Sequence, residues 1–244
     1  MSEIREHSEM PEKSIGAEAK RNYWDKFAKQ HIPEMRVLFR GGKLGKKDGW
    51  RNVIEHSLPQ GAAAEILSDL LQLPETEKEE LIKNAICHDW DKRLEKNPDD
   101  FTNDDQEKAL NLIKAARLNP RLLEATKPDF IEQVIVAEKS GEKIPITQLL
   151  IFYIDSITLG SGDDIGGFVS FKTRLAEAQP RYPELSPEHW DNEIRANHIV
   201  ENKICELLKG KGVLIEKPED IHLLITNVIE KNIEKSAGDC EKND

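Results

Sequence analysis

Two potential metal ligands, His88 and Asp89, are adjacent at the end of an apolar-striped segment that spans residues 80–89. His56 precedes this pair and Asp155 follows it, at separations that are far too long for a local metal-binding loop. Imidazole and carboxylate ligands together suit divalent transition metals, which accept mixed nitrogen and oxygen donors. The pattern H…HD…D therefore predicts one metal site built by three separate helices.

The helical periodicity indicates that these side chains face inward. Leu81, Ala85 and His88 fall on one stripe of a helix, which is the face that an amphipathic helix turns toward a core. Asp155 lies on an equally apolar face, one turn after Ile151 and one turn before Leu159. A buried, ionised carboxylate needs a partner, a cation or a strongly raised pKa. A metal ion satisfies that requirement.

His56 follows Val53 by about one turn and is also able to face inward, although Pro59 and Gly61 predict that its helix ends just after it. A single inward histidine is more often a hydrogen-bonded core residue than a ligand. The ordered set of two histidines and two aspartates favours ligands. Four protein ligands would leave an octahedral ion two positions for water and substrate.

The set His56, His88, Asp89 and Asp155 resembles, in order and spacing, the signature of the HD-domain superfamily of metal-dependent phosphohydrolases. Lys92 matches the lysine of the HD-x-x-K variant, and the resemblance covers roughly residues 50–160. It implies an HD-domain-like helical bundle that binds a divalent ion (Mn, Mg, Fe, Co, Ni or Zn) and hydrolyses nucleotides or other phosphate esters.

Departures from other members of the superfamily narrow this expectation. No histidine lies between His88 and His189, so we expect one ion rather than two. Residues 137–145 lack the HHE and GYP motifs of cyclic-di-GMP phosphodiesterases. Residues 97–105 resemble a loop that leads into a helix, rather than the Glu-Asp helix of the stringent-response hydrolases. The substrate stays unassigned.

Cationic side chains near these ligands are candidates for binding phosphate. Residues 35–51, predicted to form a loop, carry six basic residues against Asp48 alone: Arg36, Arg40, Lys43, Lys46, Lys47 and Arg51. Such a concentration attracts phosphate, although a solvated loop without a specific role is an equal alternative. No P-loop motif is present.

The resemblance, together with this placement, suggests catalytic roles for four residues. Lys92, with Arg51 or Arg93, would stabilise charge on the phosphate, and Asp91 would accept a proton. An exposed charge beside Lys92 is an equal alternative for Asp91. Lys172 and Arg174 are weaker candidates, because a helix with alternating charges normally faces water.

Composition predicts a soluble cytoplasmic protein. The chain has 244 residues with 38% hydrophobic and 33% charged residues, which suffices for a core with solvated helix faces. A net charge of −11 disfavours duplex nucleic acid as a partner. Three cysteines without a C-x-x-C motif fit a reducing compartment. No apolar run approaches the ~18 residues of a membrane span, and no signal peptide is evident.

Helix signals recur along the chain and strand signals do not, so we expect an all-α fold. Helices are predicted near 14–30, 50–72, 76–89, 104–117, 119–126, 128–139, 146–159, 163–179, 186–209 and 218–236. Thr76 with Glu79 predicts a capping box, and Gly141 predicts a helix end. Residues 14–236 are expected to form one domain, with the HD core at about 50–160 and additional C-terminal helices. Residues 1–13 and 237–244 are expected to be disordered.

The leading functional expectation is a phosphohydrolase that uses one divalent ion and acts on a nucleotide or another small phosphate ester. The alternative is an HD-type metal- or ligand-binding module that has lost catalysis and has a regulatory role. A diiron oxygenase on the same fold is a third possibility, which the missing additional histidines disfavour. The oligomeric state does not follow from the sequence.

Overall fold

The computed structural model describes residues 16–42, 51–92, 102–159 and 167–240, with the side chains of residues 41–42, 51–53 and 238–240 left out. Within these ranges the protein is all-α, as the sequence predicts, with eleven α-helices and no strand. The helices are α1 (Ala17–Gln30), α2 (Ile32–Gly42), α3 (Arg51–Leu71), α4 (Glu75–Cys87), α5 (Asn103–Ala116), α6 (Pro120–Glu124), α7 (Asp129–Ser140), α8 (Ile146–Ile157), α9 (Phe171–Ala178), α10 (Pro187–Gly210) and α11 (Ile221–Cys240). The predicted disorder of residues 1–13 lies outside the described residues.

Helix α8 is the centre of the core and carries Asp155. All of its residues from 149 to 154 are buried, and it packs against α3, α4, α9 and α10. Helices α3 and α4 pack along each other. Helix α3 carries His56, and His88 directly follows Cys87, the last residue of α4. The three segments that were predicted to hold the site are therefore neighbours in the fold.

The prediction of a loop from residue 35 is wrong as far as residue 42, because α2 continues to Gly42. Val37 and Leu38 are buried, and α2 packs against α4 and α5. Burial of this apolar face stabilises the helix, although the basic and glycine residues of the segment gave little indication of one. Arg36 and Arg40 are exposed, and Lys43, Lys46 and Lys47 lie outside the described residues.

Helix α3 confirms the helix predicted over residues 50–72, whereas the break after His56 that Pro59 and Gly61 predicted is wrong. The helix continues to Leu71, and every residue from 56 to 64 is buried. A proline inside a helix removes one backbone hydrogen bond, but the burial of a whole helix face outweighs that loss. Gly61 marks a close approach of two helices, since a Cβ atom there would stand 2.6 Å from Cγ1 of Ile86.

Helix ends follow the predicted signals only in part. Gly141 ends α7 with a φ of 74°, as expected. At the start of α10 the Ser186 side chain accepts a hydrogen bond from the backbone N–H of His189. The predicted capping box of Thr76 and Glu79 is wrong, because α4 begins one residue earlier, after Pro74, without a side-chain cap.

The segment after α8 is extended rather than helical at first. The backbone N–H of Leu159 donates to the carbonyl of Gly167, and that of Val169 donates to the carbonyl of Ile157. The helix predicted over residues 163–179 therefore begins only at Phe171, and residues 160–166 lie outside the described part. At the other end, α11 extends to Cys240, four residues past its predicted end. None of the described helices combines the length and the apolar character that crossing a membrane requires.

Candidate metal centre

His56 and Asp155 face each other between α3 and α8. The Nε2 atom of His56 lies 3.1 Å from Oδ1 of Asp155. The other ring nitrogen of His56, Nδ1, donates to the backbone carbonyl of Leu159 at 3.1 Å. A carbonyl only accepts, so this contact puts the proton on Nδ1 and leaves the Nε2 lone pair facing the carboxylate.

His88 completes the group from the end of α4. Its Nδ1 donates to the carbonyl of Ala85 at 2.8 Å, which again leaves Nε2 as the inward nitrogen. That Nε2 is buried, has no hydrogen-bond partner among the described residues and lies 3.4 Å from Oδ1 of Asp155. Histidine ligands in metal sites usually have this arrangement, in which the non-ligating nitrogen is held by a backbone carbonyl.

The donor atoms of His56, His88 and Asp155 all lie within 4.8 Å of one another, so the three residues could hold a metal ion. Ligand atoms about 2.0–2.2 Å from one ion, at right or tetrahedral angles, stand about 2.8–3.6 Å apart. The two nitrogen-to-carboxylate distances, 3.1 and 3.4 Å, fall in that range. Each of these three atoms is able to donate a lone pair to a cation, and a cation among them would neutralise the buried carboxylate. The residues therefore fit a metal ion.

Asp89, the fourth predicted ligand, lies at the edge of this group. Its Oδ1 is 3.5 Å from Nε2 of His88, and its Oδ2 is 4.0 Å from Nε2 of His56. Lys92 donates to the same Oδ2 at 2.5 Å. The ammonium thus engages one carboxylate oxygen and leaves the other facing His88. The ligand role of Asp89 stays a prediction.

The charges of the centre stabilise one another. Burial alone would lower the pKa of His88, but the carboxylates of Asp89 and Asp155 outweigh it and raise this pKa to about 9. Burial would likewise raise the pKa of Asp155, but the positive charge of His88 and the hydrogen bond with His56 hold it well below its usual range. The centre thus attracts positive charge, whether a proton or a metal ion.

Gln60, which the sequence reasoning missed, is in direct contact with this group. It lies one helical turn after His56 and is fully buried. Its side-chain Nε2 is 2.7 Å from Nε2 of His56 and donates to Oδ1 of Asp155 at 2.9 Å. The i, i+4 spacing from a predicted ligand on a helix was the available signal.

A cleft of about 180 Å³ opens beside Asp155 and is lined by polar side chains that were not predicted as a group. Lys127 lies in the turn between α6 and α7, Arg174 on α9, and His189 and Glu193 one turn apart on α10. Thr126 and Ser156 also line it, and five apolar residues form much of the remaining wall: Pro128, Ile131, Phe152, Leu175 and Ala178. The carboxylate of Asp155, 35% exposed, connects the cleft to the centre.

Charged groups in this cleft are within electrostatic reach of each other. Burial and the negative charge of Asp155 raise the pKa of Glu193 to about 7, against the opposing effect of Arg174. Arg174 also donates from Nε to the carbonyl of Thr158 at 3.0 Å, which fixes its guanidinium beside the cleft. A cation and a carboxyl that titrates near neutrality therefore share one opening onto the centre.

The remaining predicted residues have different outcomes. Asp91 does not point at the centre as an isolated base, because its Oδ2 is 3.6 Å from Nζ of Lys127. Arg93 lies outside the described residues, and Arg51 begins α3 without a described side chain. Lys172 is exposed, as expected for a residue on a solvated helix face.

Comparison of the chain with protein-family models, with curated proteins and with solved structures finds no match. The functional proposal therefore rests on the side chains of the centre and of the adjoining cleft.

Proposed function

We propose that this protein is a metal-dependent phosphohydrolase of the HD-domain type that acts on a small phosphate ester or nucleotide. The observation that carries the proposal is the convergence of His56, His88 and Asp155 on one point, with their outer nitrogens held by backbone carbonyls. A cleft lined by Lys127 and Arg174 opens beside that point, and its cationic side chains support a phosphate-containing substrate. The ordered H…HD…D set and Lys92 support the same family.

Bound by these three residues, with Asp89 as a fourth ligand, one divalent ion would supply a Lewis acid and a nucleophile at neutral pH. The protein's own residues bind and orient the ester. Arg174 holds a phosphoryl oxygen at the mouth of the cleft, since a guanidinium matches the geometry of phosphate oxygens. Lys92 orients Asp89 and adds positive charge beside the transferring group.

Proton transfer is assigned to Glu193 rather than to Asp91. With a pKa near 7, the Glu193 carboxyl is able both to hold and to release a proton at neutral pH, as a general acid or base requires. His189, one helical turn away on α10, has its Nε2 3.5 Å from Oε2 of Glu193 and keeps the carboxyl in the cleft. Asp91 is instead paired with Lys127.

The size and lining of the cleft favour a small substrate. Its volume of about 180 Å³ is below the range of about 300–1,000 Å³ that is typical of sites for drug-sized ligands. Its apolar wall covers one side of the bound molecule, and His189 and Glu193 offer hydrogen bonds to hydroxyl or amino groups. A compact phosphomonoester meets these conditions.

The test is turnover of a panel of phosphomonoesters, phosphodiesters and nucleotides by protein that has been stripped with chelator and reloaded with Mn²⁺. We expect metal-dependent phosphate release, and we expect Arg174→Ala to lower kcat/KM by about 100-fold. Lys172→Ala is the matched control, because this lysine lies on the same helix but is exposed. Equal kinetics of the two variants would contradict the role of Arg174.

The second candidate is a metal-binding regulatory module without catalysis. The short contact between Lys92 and Asp89 favours it, because an ammonium engaged at 2.5 Å is less available to a substrate. It predicts stoichiometric metal binding with no turnover of any panel member. The same experiment therefore separates the two functions.

A further inference from the structure

The amide of Gln60 occupies the space between two members of the centre. It is fully buried, its Nε2 contacts both His56 and Asp155, and its Oε1 is buried without a hydrogen-bond partner in the part of the chain that the structure describes. A buried amide oxygen without a partner is unfavourable, so the orientation of this side chain needs a physical cause. The cause is the surplus of acceptors in front of it.

A carboxylate oxygen and an imidazole lone pair both accept hydrogen bonds, and the NH₂ end of an amide donates two. Without a metal ion, the amide of Gln60 therefore presents nitrogen to His56 and Asp155. A metal ion bound by the same two atoms would take over these lone pairs. The NH₂ group would then face a cation, which is repulsive, whereas the amide oxygen would face it favourably.

We propose that Gln60 is itself a ligand of the metal ion, through Oε1, after a half-turn of its terminal amide. The half-turn places oxygen where nitrogen now lies, 2.7 Å from Nε2 of His56 and 2.9 Å from Oδ1 of Asp155. These separations are close to the spacing of about 2.8–3.6 Å between neighbouring ligands of one ion. The inference rests on the metal-binding part of the proposed function.

The ligand set would then contain two imidazoles, one carboxylate and one amide oxygen, with Asp89 held at the edge by Lys92. Carbonyl and carboxylate oxygens suit Mg²⁺ and Mn²⁺, and imidazole suits Fe²⁺ and Zn²⁺. The amide oxygen thus moves the expected preference of the site toward the harder ions. Mn²⁺ alone is accordingly the probe for the test.

The first measurement is Mn²⁺ affinity, obtained from the electron paramagnetic resonance signal of the free ion. Gln60→Met keeps the length of the side chain and removes its oxygen, and we expect it to bind Mn²⁺ about 10- to 100-fold more weakly than wild type, the range reported for partners of a metal site. Gln133→Met, at an exposed position of α7, is the matched control and keeps wild-type affinity. Equal or tighter binding by Gln60→Met would overturn the proposal.

The second measurement uses wild-type protein and so does not depend on the folding of the variant. Protein labelled with ¹³C at the glutamine side-chain carbonyl is loaded with Mn²⁺ and measured by electron–nuclear double resonance. The half-turn leaves this carbon in place, so its distance from the ion does not distinguish the two orientations, but a bonded oxygen passes spin density to the carbon and gives an isotropic ¹³C coupling. A Gln60 that keeps its NH₂ toward Asp155 gives only a dipolar coupling. If wild type binds no Mn²⁺ at all, the metal site itself is contradicted, whereas binding without an isotropic ¹³C coupling contradicts only the role of Gln60.

Discussion

Chelator-treated protein should lose stability as the pH rises from 6.5 to 9, because of His88. This histidine is buried, and the carboxylates around it raise its pKa from 6.5 to about 9. The folded state therefore holds the proton more tightly than the unfolded state does. The stabilisation is complete below pH 6.5 and is lost as the pH passes through about 9.

The magnitude follows from the size of the shift. A difference of 2.5 pKa units between 6.5 and about 9, at about 1.4 kcal/mol per unit, corresponds to about 3 kcal/mol of unfolding free energy. Burial of Glu193 also makes the unfolding free energy fall as the pH rises. This fall occurs at lower pH than that of His88, since burial raises the pKa of Glu193 from 4.5 to about 7. The interval above pH 7 thus reports mainly on His88.

The assay is urea unfolding of wild type and His88→Asn at several pH values in the presence of chelator. Asparagine retains an N–H near the position of Nδ1 and so preserves a donor for the carbonyl of Ala85. We expect wild type to lose about 3 kcal/mol more than the variant between pH 6.5 and 9. Added Mn²⁺ should abolish the decline, because metal binding displaces the proton and strengthens with pH. Parallel pH profiles of the two proteins would refute the electrostatic description of the centre.

Three further outcomes are expected. Gly61→Ala should destabilise the fold by about 1–3 kcal/mol in urea unfolding, because its Cβ would stand 2.6 Å from Cγ1 of Ile86; no change would mean that α3 and α4 separate easily. Lys92→Ala should lower turnover while metal content, measured by mass spectrometry, stays at about one ion per chain; unchanged kinetics would leave Lys92 without a catalytic role. Tyr153→Phe should cost about 1–3 kcal/mol of unfolding free energy, because buried Glu201 loses the hydroxyl that donates to it at 2.9 Å, and a neutral result would mean that water replaces this hydroxyl.

The sequence predicted the helical class and the faces that carry His88 and Asp155. Both residues lie on apolar stripes of their own helices, and a stripe is a local property that periodicity reveals. The same periodicity led to correct expectations for most helix positions, from residues 17–30 to residues 221–236. The helix end at Gly141 was also predictable from the sequence, because the left-handed conformation at the end of α7 favours glycine.

Local signals were misleading where packing decided the conformation. Pro59 and Gly61 predict a helix end, yet α3 continues through both because every residue from 56 to 64 is buried against other helices. The basic segment after residue 35 reads as a loop, yet Val37 and Leu38 bury an apolar face and extend α2 to Gly42. Burial free energy depends on what lies opposite, and a single segment of sequence does not contain that information.

The candidate centre likewise contains residues that the sequence predicted and residues that only the packing of helices revealed. Residue types and order identified His56, His88 and Asp155, since inward-facing imidazole and carboxylate side chains are common ligands of divalent metals. Gln60 and the cleft residues Arg174 and Glu193 have no such signature, because amides, guanidinium groups and glutamates are common on any helix. Only the packing of α3, α8, α9 and α10 places Gln60 against Asp155, and Arg174 and Glu193 in the cleft that Asp155 also lines. Helix packing, and not spacing along the chain, sets these distances.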